Sequence, residues 1–107
     1  VPEGTITQVL VISNYRFSPE RLPVVPGSAV LVRNEDHVAH TVTSAAAPGA
    51  LEFGAVNGVA FDTPPFLGDS TISIPAEAPV GTIVPYFCRM HGAAMLNRGE
   101  LEIVAPP

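Results

Sequence analysis

Apolar and polar residues alternate along this chain in short runs, broken often by proline and glycine, and no helical period is sustained. Thr5 to Ser13 is rich in β-branched residues and reads as a strand. After Asn14, the run Tyr15-Arg16-Phe17-Ser18-Pro19 reads as a turn. Arg21 to Val25 is short and extended, and Pro23 within it predicts an edge or irregular strand. Pro26-Gly27 signals a turn, Ala29 to Asn34 a strong apolar strand, and Glu35 to Ala39 a polar loop. His40 to Ser44 alternates. It should set His40 and Val42 on one face, turned inward, and Thr41 and Thr43 on the other.

Ala45 to Asp69 differs from the rest, being rich in Ala, Gly and Pro without a sustained period. A structureless stretch of that length is improbable inside a compact domain. One or two short strands are expected there, around Val59-Ala60-Phe61, or a helical turn. Thr71 to Ile74 alternates again, with Ile72 and Ile74 inward, and Pro75 to Pro79 is a turn-rich connection. Gly81 to Cys88 reads as a strand. Pro85 interrupts it, which predicts an edge position or a bulge. Glu100 to Val104 closes the pattern with Leu101 and Ile103 inward and Glu100 and Glu102 outward. Seven or eight short strands at regular spacing predict an all-β sandwich. A length of 107 residues fits one domain over 1–107, with neither internal repeat nor boundary.

Composition narrows the function. Hydrophobic residues are 47% of the chain, enough for a packed core. The net charge is −5, from ten acidic residues against five Arg and no Lys. That balance disfavours nucleic acid, which requires a basic footprint. It permits a basic protein partner through electrostatic steering, although mild acidity also simply keeps a small protein soluble. No apolar run reaches the length of a membrane span. The chain begins at Val1 rather than Met, so a mature form after signal removal is expected.

The chemistry concentrates in Tyr86-Phe87-Cys88-Arg89-Met90-His91-Gly92-Ala93-Ala94-Met95. Cys88 is the chain's one cysteine, so it forms no internal disulfide and is either an inert buried side chain or used for chemistry. A thiolate, an imidazole and a thioether this close form a soft donor set that suits copper. An inward His40 needs a partner for its ring nitrogens, and a metal is one solution. Loops cluster at the two ends of a sandwich, so His40, Cys88, His91 and Met95 can converge at one end. A thiolate, two imidazoles and a distant thioether are the donor pattern of blue-copper sites. Met95 reads as the thioether donor ahead of core filler, with Met90 as a less favoured axial alternative. His37-x2-His40 opposite Cys88-x2-His91 could instead hold zinc tetrahedrally, or His37 could be a solvated loop residue. Arg89 reads as a surface residue. Asn34 and Thr41 read either as supports for the ligand loops or as ordinary strand-end hydrogen-bonding residues.

Phe17-Ser18-Pro19, Val24-Val25-Pro26-Gly27, Val30-Leu31-Val32-Arg33-Asn34 and Val38-Ala39-His40-Thr41-Val42 resemble the front half of small cupredoxins. Gly81 to Val104, with Tyr86-Phe87-Cys88, His91 and Met95, resembles their final hairpin, in the manner of plastocyanin, pseudoazurin and amicyanin. The resemblance covers most of the chain, with Ala45 to Asp69 least matched. It implies an eight-stranded Greek-key β-sandwich holding one Cu(I)/Cu(II) ion on His40, Cys88, His91 and Met95. It implies a one-electron carrier, not an enzyme, in the periplasm or otherwise outside the cytoplasm. The implied partner is a larger redox protein, such as a c-type cytochrome or a membrane-bound oxidase complex. It would meet a monomer near His91, whose neighbours Gly92, Ala93 and Ala94 are small. A copper-binding protein for resistance, storage or delivery is the alternative. A fragment of a multicopper oxidase or nitrite reductase ranks below both, because the histidines are too few for a second copper cluster. Three features depart from those relatives. Three residues separate His91 from Met95, where amicyanin has two and plastocyanin and pseudoazurin have four. The approach Gly81 to Tyr86 is one residue longer, which predicts a bulge. His37 stands where a non-ligand is usual.

Overall fold

A computed structural model describes residues 4–106. Eight strands form among them: β1 (Ile6–Ser13), β2 (Arg16–Ser18), β3 (Arg21–Val24), β4 (Ala29–Asn34), β5 (Thr43–Ser44), β6 (Gly68–Ser73), β7 (Ile83–Phe87) and β8 (Gly99–Ile103). They make two four-stranded sheets, in the orders β2-β1-β4-β6 and β3-β8-β7-β5, and the whole is a Greek-key β-sandwich. β1–β4 and β3–β8 pair in parallel and the remaining neighbours antiparallel.

Alternation builds the core. Leu10, Ile12, Val30, Val32 and Ile72 come from one sheet, and Leu22, Val24, Val84, Tyr86, Leu101 and Ile103 from the other. None is more than 3% exposed. Each such aliphatic side chain contributes about 1.5–3 kcal/mol by leaving water. Where one face of a strand meets this core, a one-residue slip would turn the whole apolar set outward, so register is strongly specified.

Three local expectations are corrected and a fourth, the bulge, is located. The segment read as a turn at Tyr15 to Pro19 contains strand β2. Its turn is the pair Asn14-Tyr15, and Phe17, 1% exposed, pairs with Ile12 of β1. Pro85 lies in an inner strand, not at an edge. It is tolerated because β5 is two residues long and the bonding on that side ends at Pro85 itself, whose carbonyl accepts the Ala45 amide at 2.9 Å, so only one amide is missed. The bulge expected in the approach to Cys88 stands at its start, before β7: Gly81, at φ +94°, donates to the Ile103 carbonyl at 2.8 Å and the Ile103 amide donates to the Thr82 carbonyl at 2.9 Å, so two residues face one. From Ile83–Glu102 to Tyr86–Gly99 the β7–β8 register is unbroken, and a second register shift falls in β1, between Ile6 and Gln8. Finally, residues 45–69 form isolated bridges (Val56 with Val59, Asp62 with Thr43, Phe66 with His40) and the start of β6, without a helical turn. The 3-10 turn that does form, Gly92–Ala94, lies in the segment after Cys88.

Burial over His40 to Ser44 also departs from strict alternation. All five residues are fully covered, because the bridges from Asp62 and Phe66 lay a second segment over them. Local pattern could not report that cover, which comes from about twenty residues downstream.

Candidate metal centre

Cys88 is the first residue past β7 and is completely buried. Its carbonyl accepts the amides of His91 at 3.3 Å and Gly92 at 2.7 Å, a tight turn that folds His91 back over the thiol. Gly92 sits at φ +46°, in the left-handed region that glycine enters without penalty. His40 arrives from the other side, anchored by reciprocal backbone bonds with Phe66 (3.3 and 3.1 Å). Met95 closes the 3-10 turn and is 4% exposed, whereas Met90 is 50% exposed. Of the two methionines, Met95 alone is therefore buried as an interior donor must be.

Cys88 Sγ lies 3.6 Å from His40 Nδ1 and 3.3 Å from His91 Nδ1, and the two Nδ1 atoms are 3.1 Å apart. The point equidistant from these three atoms is about 1.9 Å from each, against metal–nitrogen and metal–sulfur bonds of about 2.0–2.3 Å. The triangle thus has the size of a metal site with slight expansion. The chemistry of the donors agrees. Asp36 Oδ2 lies 2.8 Å from His40 Nε2. An ionised carboxylate can only accept, so His40 carries its proton on Nε2 and turns a lone pair on Nδ1 toward Cys88 and His91. A cysteine sulfur and two imidazole nitrogens converging in a largely buried pocket suit a soft or borderline transition ion.

Two hydrogen-bond systems hold the triangle. On the thiol side, the Thr41 amide donates to Cys88 Sγ at 3.4 Å, and the Arg89 amide donates to Thr41 Oγ1 at 2.9 Å. Thr43 Oγ1 donates to Asp62 Oδ1 at 2.7 Å, so its contact with Thr41 Oγ1 at 3.1 Å must be one that Thr43 accepts. The chain therefore runs from the Arg89 amide through Thr41 and Thr43 to Asp62. It closes on itself, because Arg89 Nε also donates to Asp62 Oδ1 at 2.9 Å. Arg89 is partly exposed, as its sequence context suggested, yet it ties the Cys88 loop to residues 62–63 through Asp62 and the Thr63 carbonyl. On the imidazole side, Asn34 Nδ2 donates to the carbonyls of Val38 and Phe66, and Asn34 Oδ1 accepts the Asp36 amide. Both Asn34 and Thr41 therefore brace the segments that carry His40 and Cys88.

Burial pushes the Asp36 carboxyl upward. The Tyr15 amide, the His40 ring and the Asn14 amide, joined by the His40 charge whenever that ring is protonated, outweigh burial and hold it below the ordinary carboxylate value. Burial, then repulsion from His40, lowers His91 from its ordinary value, and the Asp36 charge partly offsets both. His37 is exposed and stays outside. Among the described residues the converging group is His40, Cys88 and His91, so the four-residue zinc arrangement is not assembled.

Sequence reading missed Asp36, Asp62 and Tyr15. Asp36 lay in a segment read as polar loop, and its signal was its position four residues before an inward histidine. Asp62 offered no local signal, since its partners are 19 and 27 residues away. Tyr15 was read as part of a turn. Its ring instead packs edge-on against both imidazoles, with centroids 5.2 Å from His40 and 5.0 Å from His91.

No protein-family model and no curated protein matches this sequence. Solved structures do match the fold. A novel purple cupredoxin from Nitrosopumilus maritimus aligns with a TM-score of 0.63 and 22% identity, over 91% of this chain and 99% of its own. An oxidized amicyanin variant aligns with a TM-score of 0.63 and 20% identity, over 96% of this chain and 85% of its own. A copper-containing nitrite reductase from Thermus scotoductus aligns with a TM-score of 0.66 and 18% identity, over 100% of this chain but 23% of its own.

Proposed function

We propose that this chain, which has the cupredoxin fold, is a type 1 copper protein that carries one electron between larger redox proteins. The observation that carries the reading is the buried triangle of Cys88 Sγ, His40 Nδ1 and His91 Nδ1, with Met95 buried at the end of the same loop. The residues assigned to the metal are His40, Cys88, His91 and Met95. A bound copper ion would supply the Cu(I)/Cu(II) couple.

The protein's own contribution is rigidity. Cys88 is held by the Thr41 amide, and Thr41 by its hydroxyl through the chain ending on Asp62. His40 is held at both ends, by Phe66 through its backbone and by Asp36 through its ring. A donor set braced in this way rearranges little when the charge at its centre changes. Water is excluded on the inner side, where His40 and Cys88 are fully buried, while His91 is only partly covered. His91 is accordingly the edge where a redox partner would meet the chain. The reading brings with it an extracytoplasmic location and a single, monomeric domain. It favours a carrier over a storage or delivery protein because His37, the extra donor that motivated the latter, lies outside the cluster.

The test is the visible and electron-spin-resonance spectrum of the Cu(II) form. An intense thiolate-to-copper charge-transfer band is expected, together with rapid electron exchange with a c-type cytochrome. A folded protein whose Cu(II) complex is colourless would refute the reading. Met95→Gln is expected to retain copper and lower the reduction potential. An unchanged potential and spectrum would remove Met95 from the ligand set.

A further inference from the structure

Asp36 has more to do than a loop carboxylate ordinarily does. Its side chain is 11% exposed and accepts three hydrogen bonds from three different residues. Oδ1 takes the Asn14 amide at 2.6 Å, and Oδ2 takes both the Tyr15 amide at 2.9 Å and His40 Nε2 at 2.8 Å. Asn14 and Tyr15 are the two-residue connection between β1 and β2, and both have positive φ, +54° and +59°. Hairpin turns of this kind favour Asn-Gly, because the second position penalises any side chain. A tyrosine there is unusual, and a strained conformation persists only where its surroundings over-determine it. Here the two adjacent amides point at one carboxylate, which stabilises the turn. The consequence is the placement of Tyr15. Its ring meets His40 and His91 edge-on, with interplanar angles of 88° and 78°. Its carbonyl accepts the Leu96 amide at 2.7 Å, next to Met95.

The geometry points to Asp36 as a positioning residue of the metal centre. It fixes the proton of His40 on Nε2 so that Nδ1 faces the metal, and through the Asn14 and Tyr15 amides it latches Tyr15 against both imidazoles. The inference rests on the metal-centre reading above. Carboxylates that hold a ligating imidazole through its far nitrogen are a general device, and their loss typically costs 10–100-fold in metal affinity. This carboxylate in addition couples the histidine to a separate strand connection, so removing one side chain should disturb both histidines at once.

The experiment uses the full chain and reads three quantities on Asp36→Ala. These are the His40 imidazole nitrogen shifts and Nε2–H resonance in the metal-free protein, Zn(II) affinity by calorimetry, and proton contacts between the Tyr15 ring and His91. The expected result is loss of the protected Nε2–H resonance, Zn(II) binding weaker by about 10–100-fold, and loss of the Tyr15–His91 contacts. A His40 that keeps its Nε2–H tautomer, or Zn(II) binding within about twofold of the parent, would overturn the assignment, since this effect should be at least tenfold. If Asp36→Ala does not fold, Asp36→Asn reads the same quantities. One amide oxygen can replace Oδ2, but the amide nitrogen then opposes the Asn14 N–H, so the Tyr15 contacts should weaken while the His40 tautomer survives. Unchanged Tyr15 contacts in that variant would overturn the latch. The tautomer readout needs no copper, so a parent protein that fails to form a coloured copper site would refute the functional reading and leave the Asp36 result standing.

Discussion

The middle of this sandwich and the inner side of its candidate metal end are both closed to water, but by different means. Between the sheets, Leu10, Ile12, Val30, Val32, Leu101 and Ile103 are at most 1% exposed and touch through contacts without direction. At the metal end, His40, Thr41, Thr43 and Ser44 are 0% exposed and carry donors and acceptors that are each satisfied by a specific partner. Apolar packing tolerates exchange for a side chain of similar volume. A buried polar network tolerates less, because a donor or acceptor left without a partner costs about 1–3 kcal/mol. The difference separates two tasks. Burial of the apolar faces makes the fold stable, and the directed bonds hold three donor atoms in one triangle.

The comparison breaks most sharply where the two regions meet. Tyr86 of β7 lies across Gly99 of β8, its cross-strand partner, and an added Cβ at Gly99 would overlap the Tyr86 ring. Gly99→Ala is expected to destabilise the fold by at least the upper end of the usual ~1–3 kcal/mol for overpacking, and to lower metal-binding capacity with it. Denaturant titration and copper loading of the same sample measure both. A variant with parental stability would mean that the ring has room to move aside.

A smaller change should affect the metal end alone. Asp62→Ala removes the acceptor on which both Thr43 and Arg89 end. About 1 kcal/mol of stability should be lost. The Cu(II) spectrum should shift as the Thr41 amide loosens against Cys88. Hydrogen exchange in β4 and β8 should stay as in the parent. Faster exchange throughout both sheets would show that the two regions are not separable.

The mildest test concerns the one tyrosine of the core. The Tyr86 hydroxyl is buried without a hydrogen-bond partner among the described residues, and burial, then the charge of Glu100, raises its ionisation well above the ordinary value. The native state therefore keeps this proton where the unfolded chain releases it, so stability falls as pH rises beyond about 10. Tyr86→Phe should remove that alkaline loss and change stability at neutral pH by about 1 kcal/mol or less, in the stabilising direction. Thermal melts from neutral to alkaline pH compare the two proteins. An alkaline slope unchanged by the substitution would assign the loss to other groups.

Much of the sandwich was legible in advance. β8 follows alternation closely, because one face of it meets the core, while β1 was legible from its β-branched residues and β4 from its apolar run. β2 was not legible, since three residues are too few to carry a period, and its pairing depends on a turn held by Asp36 from 21 and 22 residues away. Pro85 misled for a related reason. Whether a missing amide matters depends on how long the neighbouring strand is, and β5 was expected to be longer than it is. At the site, Cys88, His91 and Met95 announced themselves by spacing and His40 by its inward register. The residues that brace them did not, because Asp62, Thr43 and Tyr15 act across long sequence separations and belong to ordinary residue types.

The amino-acid sequence by itself determined the sandwich class, the soft donors and their local spacing, since these follow from short-range periodicity and from side-chain chemistry. Tertiary structure alone decided that His40 Nδ1 and His91 Nδ1 stand 3.1 Å apart beside one sulfur, and that His37 stays outside. It also decided that Asp36 joins a strand turn to His40. Distances of that size depend on register, burial and hydrogen-bond direction summed over segments up to 51 residues apart, which no local window contains.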